Sequence, residues 1–583
     1  MRWITTILVL LGAVAVPAAA SETRHPCAAA TTRCDGVLVV PLNHAEPGSE
    51  KISVPFSWLP HSDRDRPSAG TIIALPGGPA AVMGQFNAFA DTVRPLLTDY
   101  DFLMVERRGF PSWQCPQADI RDAASVRDCA ALSGDRAQFF TADQRVADIE
   151  AVRAALDARN VVLYGNSYGS VEAPAYMSRF PRHVRSAVVD SPTVFPDRAT
   201  GYAGGNTWQG DLDANQRAID DACRRSLSCR ALPGDTADRL AEVVAMNRRD
   251  PDIPLGALTE VVRALDPFVA RDTNAAMQAY LDGDKAPLRR LVSLTGPPPG
   301  TPSDPNQGFR TGGAAALAYV CNDFAWPYAR SAPIETRRAQ LSEYRAQHPE
   351  HPVAAVEATR GYGVWADWCL GWPTPRHAPP VAGAYPDVPV LVIAGSFDSD
   401  AGANAVTLAR QFPRGRVVNV PFAGHAVSVL RPGSTYSSCA AEGVRNFITG
   451  RPVPSCSGEN FRAVGRFPVT SHDLVTTVFR TAMDSLTSRI PNSVGVARRT
   501  ELPGLRGGRV VFESSKAVLD QVRYTADTVV SGGIQLTGDQ ATAELTANGK
   551  LVRMTWKPFE AKEVTRVTGS VDGRDFDRLL YVG

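Results

Sequence analysis

The chain has 583 residues, more than the ~250–300 that one hydrophobic core usually serves, so two or three structural units are expected. Apolar residues make up 44% and charged residues 21%, the balance of a folded protein rather than a disordered one. Lys and Arg number 61 against 60 Asp and Glu, with no basic run, which argues against a nucleic-acid partner.

The first twenty residues combine Arg2, an apolar stretch from Trp3 to about Val16, and a small-residue end at Pro17, Ala18, Ala19 and Ala20. This pattern reads as a secretory signal peptide cleaved after Ala20. A transmembrane anchor is the rival reading, but the apolar run falls short of the ~20 residues a span needs. No second segment of spanning length follows, so a secreted protein without a membrane span is expected. All ten Cys lie after the cleavage point, and their even number fits an oxidising compartment. Their clustering suggests neighbours: Cys27 with Cys34, Cys115 with Cys129, Cys223 with Cys229, Cys321 with Cys369, and Cys439 with Cys456. No Cys or His cluster has metal-ligand spacing, so no metal site is expected.

Val37–Leu42 and Ile52–Leu59 are β-rich runs around a turn at Glu46–Ser49 and predict a hairpin. Thr71–Pro76 and Phe102–Glu106 are apolar at nearly every position, as strands covered on both faces are. Apolar residues then recur at helical steps between Asp143 and Leu156. Val161–Tyr164 restarts a strand, and a helix near Tyr168–Phe180 and a strand at Ala187–Asp190 follow. Such alternation predicts an α/β fold, with a first core segment over 21–195. From 196 to 380 the alternation gives way to a helical, Pro-punctuated insertion, read as a cap. The α/β pattern resumes over 381–456 with Pro389–Gly395, Arg416–Val420 and a helix near Ala440–Ile448. Over 457–583 a helix (Ser471–Ser488) precedes short β-type runs, which predicts a mostly β accessory domain.

The sharpest chemical signal is LYGNSYGS, where Gly165, Ser167 and Gly169 form G-x-S-x-G between a buried strand and a helix. In that position the pattern is a nucleophile elbow: a tight turn exposes the Ser hydroxyl and frees the next backbone N–H for an oxyanion. In this chain order the acid comes next and the His last. Of nine His, His425 stands just after the strand Arg416–Val420, where a loop at the sheet's C-terminal edge would present it. His25, His44 and His61 come too early and His183 falls at the wrong edge. His348, His351 and His377 fall in the insertion, and His472 lies beyond the sheet. After Pro389–Gly395, GSFDSD offers Asp398 or Asp400, and Asp398, nearer the strand end, is preferred. LPGGPA places Gly77 and Gly78 after an early buried strand, where a second oxyanion donor is wanted.

These positions together resemble the secreted bacterial tripeptidyl aminopeptidases and the related proline iminopeptidases, within the α/β-hydrolase superfamily. The resemblance runs from about Cys34 to Cys456. It rests on RCDGVLVVPLNHAEP, LPGGPA, VERRGFPS, YGNSYGS, CND at Cys321–Asp323, CLGWP at Cys369–Pro373, GSFD and AGH. It implies an α/β-hydrolase fold with an inserted cap, a Ser167–Asp398–His425 triad, and an oxyanion hole from Gly78 and Tyr168. The expected activity is release of short peptides from free N-termini of peptides or proteins, with no cofactor. Two departures stand beside the triad: Ala80 replaces the last Gly of the family's G-G-P-G, and Ala401-Gly402 replaces the Thr-Pro that commonly follows the acid. The rivals are a secreted esterase or lipase on the same fold and a catalytically silent surface-binding protein. A free N-terminus calls for a carboxylate to meet its ammonium, and Asp323 is the expected anchor, because in proline iminopeptidases a cap Glu at a broadly similar place does this. Helix capping or pairing with an Arg is the alternative for Asp323. Glu172, just after the elbow, is a weaker second candidate, with burial and pairing on its helix as the alternative.

Overall fold

The computed structural model describes residues 24–110, 113, 115, 119, 122–192, 207–262, 267–295, 314–324, 326–347, 365–374, 385–398, 402–430, 435–456, 463–487, 500–558 and 564–581. The expected signal peptide, Asp400, His348, His351 and His377 lie outside them.

Eight strands form the first sheet: β1 (Cys34–Pro41), β2 (Lys51–Leu59), β3 (Gly70–Leu75), β4 (Tyr100–Val105), β5 (Val161–Asn166), β6 (Val184–Asp190), β7 (Pro389–Gly395) and β8 (Arg414–Val420). Their spatial order is β1-β2-β4-β3-β5-β6-β7-β8. The opening hairpin is antiparallel, as the turn at Glu46–Ser49 demands, and β2 also meets β4 antiparallel. From β4 onward every pair is parallel.

The apolar runs of β3, β4 and β5 are buried on both faces because successive residues enter different cores. Ile73, Leu75, Leu103, Val105 and Leu163 pack with the helices Ala142–Ala155, Gly169–Arg179 and Gly402–Ala409. Ile72, Ala74, Phe102, Met104, Val162 and Tyr164 pack with Phe86–Val93 and Thr435–Ile448 on the other side. The alternation is thus that of an α/β fold, and the architecture is the α/β-hydrolase one that the resemblance implies.

A second sheet is an all-antiparallel meander of β9 (Glu501–Pro503), β10 (Arg509–Glu513), β11 (Lys516–Val522), β12 (Val530–Thr537), β13 (Gln540–Ala547), β14 (Lys550–Trp556), β15 (Val564–Val571) and β16 (Arg574–Tyr581). Strand β13 alternates exposed and buried residues, the mark of a sheet with one covered face. The helix Leu474–Thr487 lies on that face, with Phe479 edge-on to Trp556.

The inserted stretch does not keep a core to itself. Ile219, Leu240, Val243, Leu258, Met277 and Leu291 share one hydrophobic cluster with Val478, Leu519, Leu545 and Trp556 of the C-terminal region. Polar contacts cross the same boundary: Arg290 pairs with Asp484 at 2.9 Å, and Val464 N–H donates to the Arg271 carbonyl at 2.9 Å. The later inserted residues Leu317, Tyr319, Phe324, Trp326 and Trp372 instead pack with Tyr168 and Val171, over the start of the elbow helix. Five disulfides join the pairs suggested by clustering: Cys27–Cys34, Cys115–Cys129, Cys223–Cys229, Cys321–Cys369 and Cys439–Cys456. The fourth ties the helix Ala314–Asp323 to the segment before β7.

Candidate active site

Ser167 follows the last residue of β5 and precedes the helix Gly169–Arg179, with its backbone in the left-handed region at φ 50°. Two glycines make this turn possible. A β-carbon at Gly169 would lie 1.8 Å from the Leu75 carbonyl oxygen, and one at Gly165 would lie 2.7 Å from the Gly169 carbonyl oxygen. Ser167 N–H donates to the Asp190 carbonyl at 2.9 Å, fastening the turn to β6. Ser167 itself is half-buried, whereas Asn166 and Tyr168 on either side are buried.

The β3-to-helix loop meets Ser167 at Gly77, where an added β-carbon would lie 2.6 Å from Ser167 Cβ and 3.1 Å from its Oγ. Gly77 N–H donates to Asn166 Oδ1 at 2.7 Å. Gly78 has φ +130°, a conformation side chains disfavour, and a cis bond to Pro79. Among the described residues, no hydrogen bond engages the N–H of Gly78 or of Tyr168. Two free donors therefore flank the Ser167 turn.

His425 lies in the loop after β8, its Nδ1 3.0 Å from both carboxylate oxygens of Asp398. With Nδ1 donating to Asp398, Nε2 is left as the acceptor, the tautomer a general base requires. The Asp398 and His425 loops are stitched together: Phe397 N–H donates to the Ala423 carbonyl at 3.0 Å, and Phe422 N–H to Ser396 Oγ at 2.6 Å. His44 and His61 are engaged elsewhere, with Asp148 and Asp101.

Asp190, read from the sequence only as the end of a strand, joins the Ser167 turn to the His425 loop. Its carbonyl holds Ser167, while its carboxylate accepts from Val427 N–H at 3.2 Å, Ser428 N–H at 2.8 Å and Ser428 Oγ at 2.7 Å. Ser191 Oγ bonds the same carboxylate at 3.0 Å and accepts from Ala426 N–H at 2.8 Å. Burial pushes the Asp190 carboxyl up. Its only sequence signal was an acid at the C-terminal end of a buried strand next to the elbow strand.

Asp323 ends the helix Ala314–Asp323 and is 1% exposed. Its Oδ2 accepts from the Tyr168 hydroxyl and, at 2.9 Å, from Ala142 N–H at the start of the helix Ala142–Ala155. Asp323 thus both caps a helix and holds the residue after the nucleophile. Its Oδ1 is buried without a partner among the described residues. Burial raises its carboxyl to about 7.

Glu172, in the first turn of the helix Gly169–Arg179, pairs with the guanidinium that also holds the Gly77 carbonyl. It is fully buried and accepts from Arg107 Nε at 2.7 Å, with Arg145 Nε 3.6 Å away. That pairing is the bland alternative the sequence left open, and it makes Glu172 the counter-ion of Arg107. Among the described residues, no group of three or more His, Cys, Asp or Glu could hold a metal ion.

The family described as "alpha/beta hydrolase fold" matches residues 70–223, and the one described as "TAP-like protein" matches residues 356–458. The tripeptidyl aminopeptidase of Streptomyces lividans is 23% identical over 457 residues, 68% of this chain and 78% of that protein. Serine protease Hip1 of Mycobacterium tuberculosis is 24% identical over 470 residues, 72% of this chain and 85% of that protein. The proline iminopeptidase structure from Mycobacterium smegmatis is 16% identical and covers 70% of this chain and 96% of its own, but its TM-score of 0.32 adds no argument. The two matched segments hold β3 to β8 of the first sheet, and the chain is an α/β-hydrolase-fold enzyme of the serine hydrolase class.

Proposed function

We propose that the protein is a secreted serine peptidase, an aminopeptidase that releases short, tripeptide-sized products from free N-termini through an acyl-enzyme. The observation that carries this reading is the His425–Asp398 pair, at 3.0 Å, facing the same sheet edge as a Ser held in a left-handed elbow. Relatives named tripeptidyl aminopeptidase and serine protease support the substrate class. Secretion is supported by the leader-like first twenty residues and five disulfides, and no described helix is long and apolar enough to cross a membrane.

In this mechanism Ser167 Oγ attacks the scissile carbonyl carbon while His425 Nε2 takes its proton. The carbonyl oxygen becomes an oxyanion and is met by the N–H groups of Gly78 and Tyr168. Asp398 holds the imidazolium through Nδ1–H. Collapse of the tetrahedral adduct breaks the C–N bond, His425 returns the proton to the leaving amine, and the released peptide departs with a new N-terminus. Water, deprotonated by the same His425, then attacks the ester on Ser167 and frees the acyl peptide. Asp323 is the proposed anchor for the substrate ammonium, with Oδ1 as the unengaged oxygen.

The deciding experiment uses wild type and Ser167→Ala with a fluorophosphonate probe and three substrates: a free peptidyl anilide, its N-acetylated form and a simple ester. The proposal expects labelling of Ser167, loss of turnover in the variant, and a strong preference for the free peptide over the acetylated one. Ester turnover without free-peptide turnover would replace it with an esterase. Labelling at another Ser would remove the triad.

A further inference from the structure

The turn after β4 carries three consecutive charged side chains, Glu106, Arg107 and Arg108, buried to 4%, 0% and 1% exposure. Unpaired charge at that depth is strongly disfavoured by desolvation, so their partners explain their presence. Arg108 turns away from the nucleophile, to Asp148 at 2.8 Å from its Nε and to the Leu42 carbonyl at 2.6 Å. Glu106 and Arg107 turn instead to the loop that carries Gly78.

Arg107 grips the near end of that loop from below. Its Nη1 donates to the carbonyls of Gly77 at 3.0 Å and Ala80 at 2.8 Å, and its Nη2 donates to that of Pro76. Its Nε is held by Glu172, on the helix that begins at the nucleophile. Glu106 grips the far end, accepting from Val82 N–H at 2.9 Å and Met83 N–H at 3.3 Å. Five backbone groups of one loop are thereby tied to two adjacent side chains.

One of those bonds bears on the chemistry. The carbonyl of Gly77 and the N–H of Gly78 belong to the same trans peptide unit, so they point in opposite directions. With Gly77 O fixed on Arg107, Gly78 N–H is aimed away from the guanidinium. The preceding peptide unit is held at both ends, its Pro76 carbonyl on Arg107 and its Gly77 N–H on Asn166 beside Ser167. Electrostatic stabilisation of an oxyanion depends on donors oriented before the charge develops.

We infer that Arg107 is a positioning residue for acyl transfer: paired with Glu172 and seconded by Glu106, it sets the direction of the Gly78 N–H. This rests on the proposed reading of Gly78 as an oxyanion donor. A lysine cannot reproduce the role, since a single ammonium lacks the planar fork that spans three carbonyls and a carboxylate.

The test compares full-length wild type, Arg107→Lys, Glu172→Gln and Arg108→Lys on a p-nitrophenyl ester and its thiono analogue, in which sulfur replaces the carbonyl oxygen. Sulfur is a poor acceptor, so the oxygen-to-sulfur ratio of kcat reports the oxyanion donors. Arg107→Lys should lower kcat on the oxoester about 100-fold, at the low end of the ~10²–10³ expected for losing one donor, with KM within about threefold. The thionoester should fall far less, so the ratio drops at least about tenfold. Glu172→Gln should move the ratio the same way by less, whereas Arg108→Lys, equally buried but bonded elsewhere, should leave it unchanged. A ratio in Arg107→Lys equal to that of Arg108→Lys would overturn the inference. If Arg107→Lys does not fold, the isosteric Glu172→Gln decides, and an unchanged ratio there overturns it too. A wild type that does not prefer the oxoester would instead remove the underlying reading of Gly78.

Discussion

Asp323→Asn tests whether the buried carboxylate over Tyr168 is neutral or charged at working pH. Burial pushes its carboxyl up to about 7 from 3.8, with Asp143 adding to the rise and Arg330, Tyr168 and Ala142 opposing it. A gap of about 3 units at 1.36 kcal/mol each corresponds to about 4 kcal/mol. Because the folded value lies above the unfolded one, the folded protein keeps a proton that the unfolded chain releases. Stability is therefore full below pH 3.8, falls as pH rises through the window to about 7, and levels off above it. Asparagine has no such window. Its carbonyl oxygen can keep the bonds from Tyr168 and Ala142, and its NH2 takes the place of the unpartnered Oδ1. Denaturant midpoints of the full-length proteins at pH 5 and pH 8 should thus diverge, wild type losing about 3 kcal/mol against the variant. Turnover adds a second readout. In the proposed role of ammonium anchor, a carboxyl raised to about 7 gains its charge as pH rises through that value, so KM for free peptides should fall there until the substrate amine, near ~8, loses its own proton. The variant should lose that acid limb and leave ester hydrolysis nearly unchanged. A stability difference constant within about 1 kcal/mol from pH 5 to pH 8 would refute the buried-carboxylate reasoning. Equal losses on peptide and ester would make Asp323 purely structural.

Asp398→Asn should cut kcat by about 10⁴, because the wrong imidazole tautomer then faces Ser167, and Asp400→Asn should do far less; steady-state kinetics on the ester checks both, and a reversed order would reassign the acid. Asp190→Asn removes one acceptor from a carboxylate that holds Val427, Ser428 and Ser191, and should lower kcat by about 10–100-fold through drift of the His425 loop, with slowed fluorophosphonate labelling of Ser167 as its signature. Gly169→Ala drives a β-carbon to 1.8 Å from the Leu75 carbonyl oxygen, so the helix must leave β3; expression as soluble protein and the midpoint of thermal unfolding should both fall, and a fully active, equally stable variant would contradict the packing.

The Gly165–Gly169 turn, the α/β alternation and the β runs after Cys456 were legible because each is a local constraint. Gly165 and Gly169 announce a turn into which no side chain fits, and the apolar runs of β3, β4 and β5 announce burial on both faces. Cysteine clustering also indicated the five pairs, four of them only 6 to 17 residues apart, whereas Cys321 and Cys369 are 48 apart. Tertiary structure alone decided the rest. Nothing local to Glu106 and Arg107 says that a loop some thirty residues earlier will lie against them, or that Glu172 will neutralise the guanidinium. The inserted stretch reads as one helical block, yet Leu240 and Met277 join the core of the second sheet while Tyr319 and Trp372 close over Tyr168. Helical periodicity shows that a face is apolar, not which distant face will cover it. Asp190 and Asp323 follow the same rule: a carboxylate's charge and task depend on burial and on donors brought from far along the chain, and those are settled only when the strand ends and the helices over them come together.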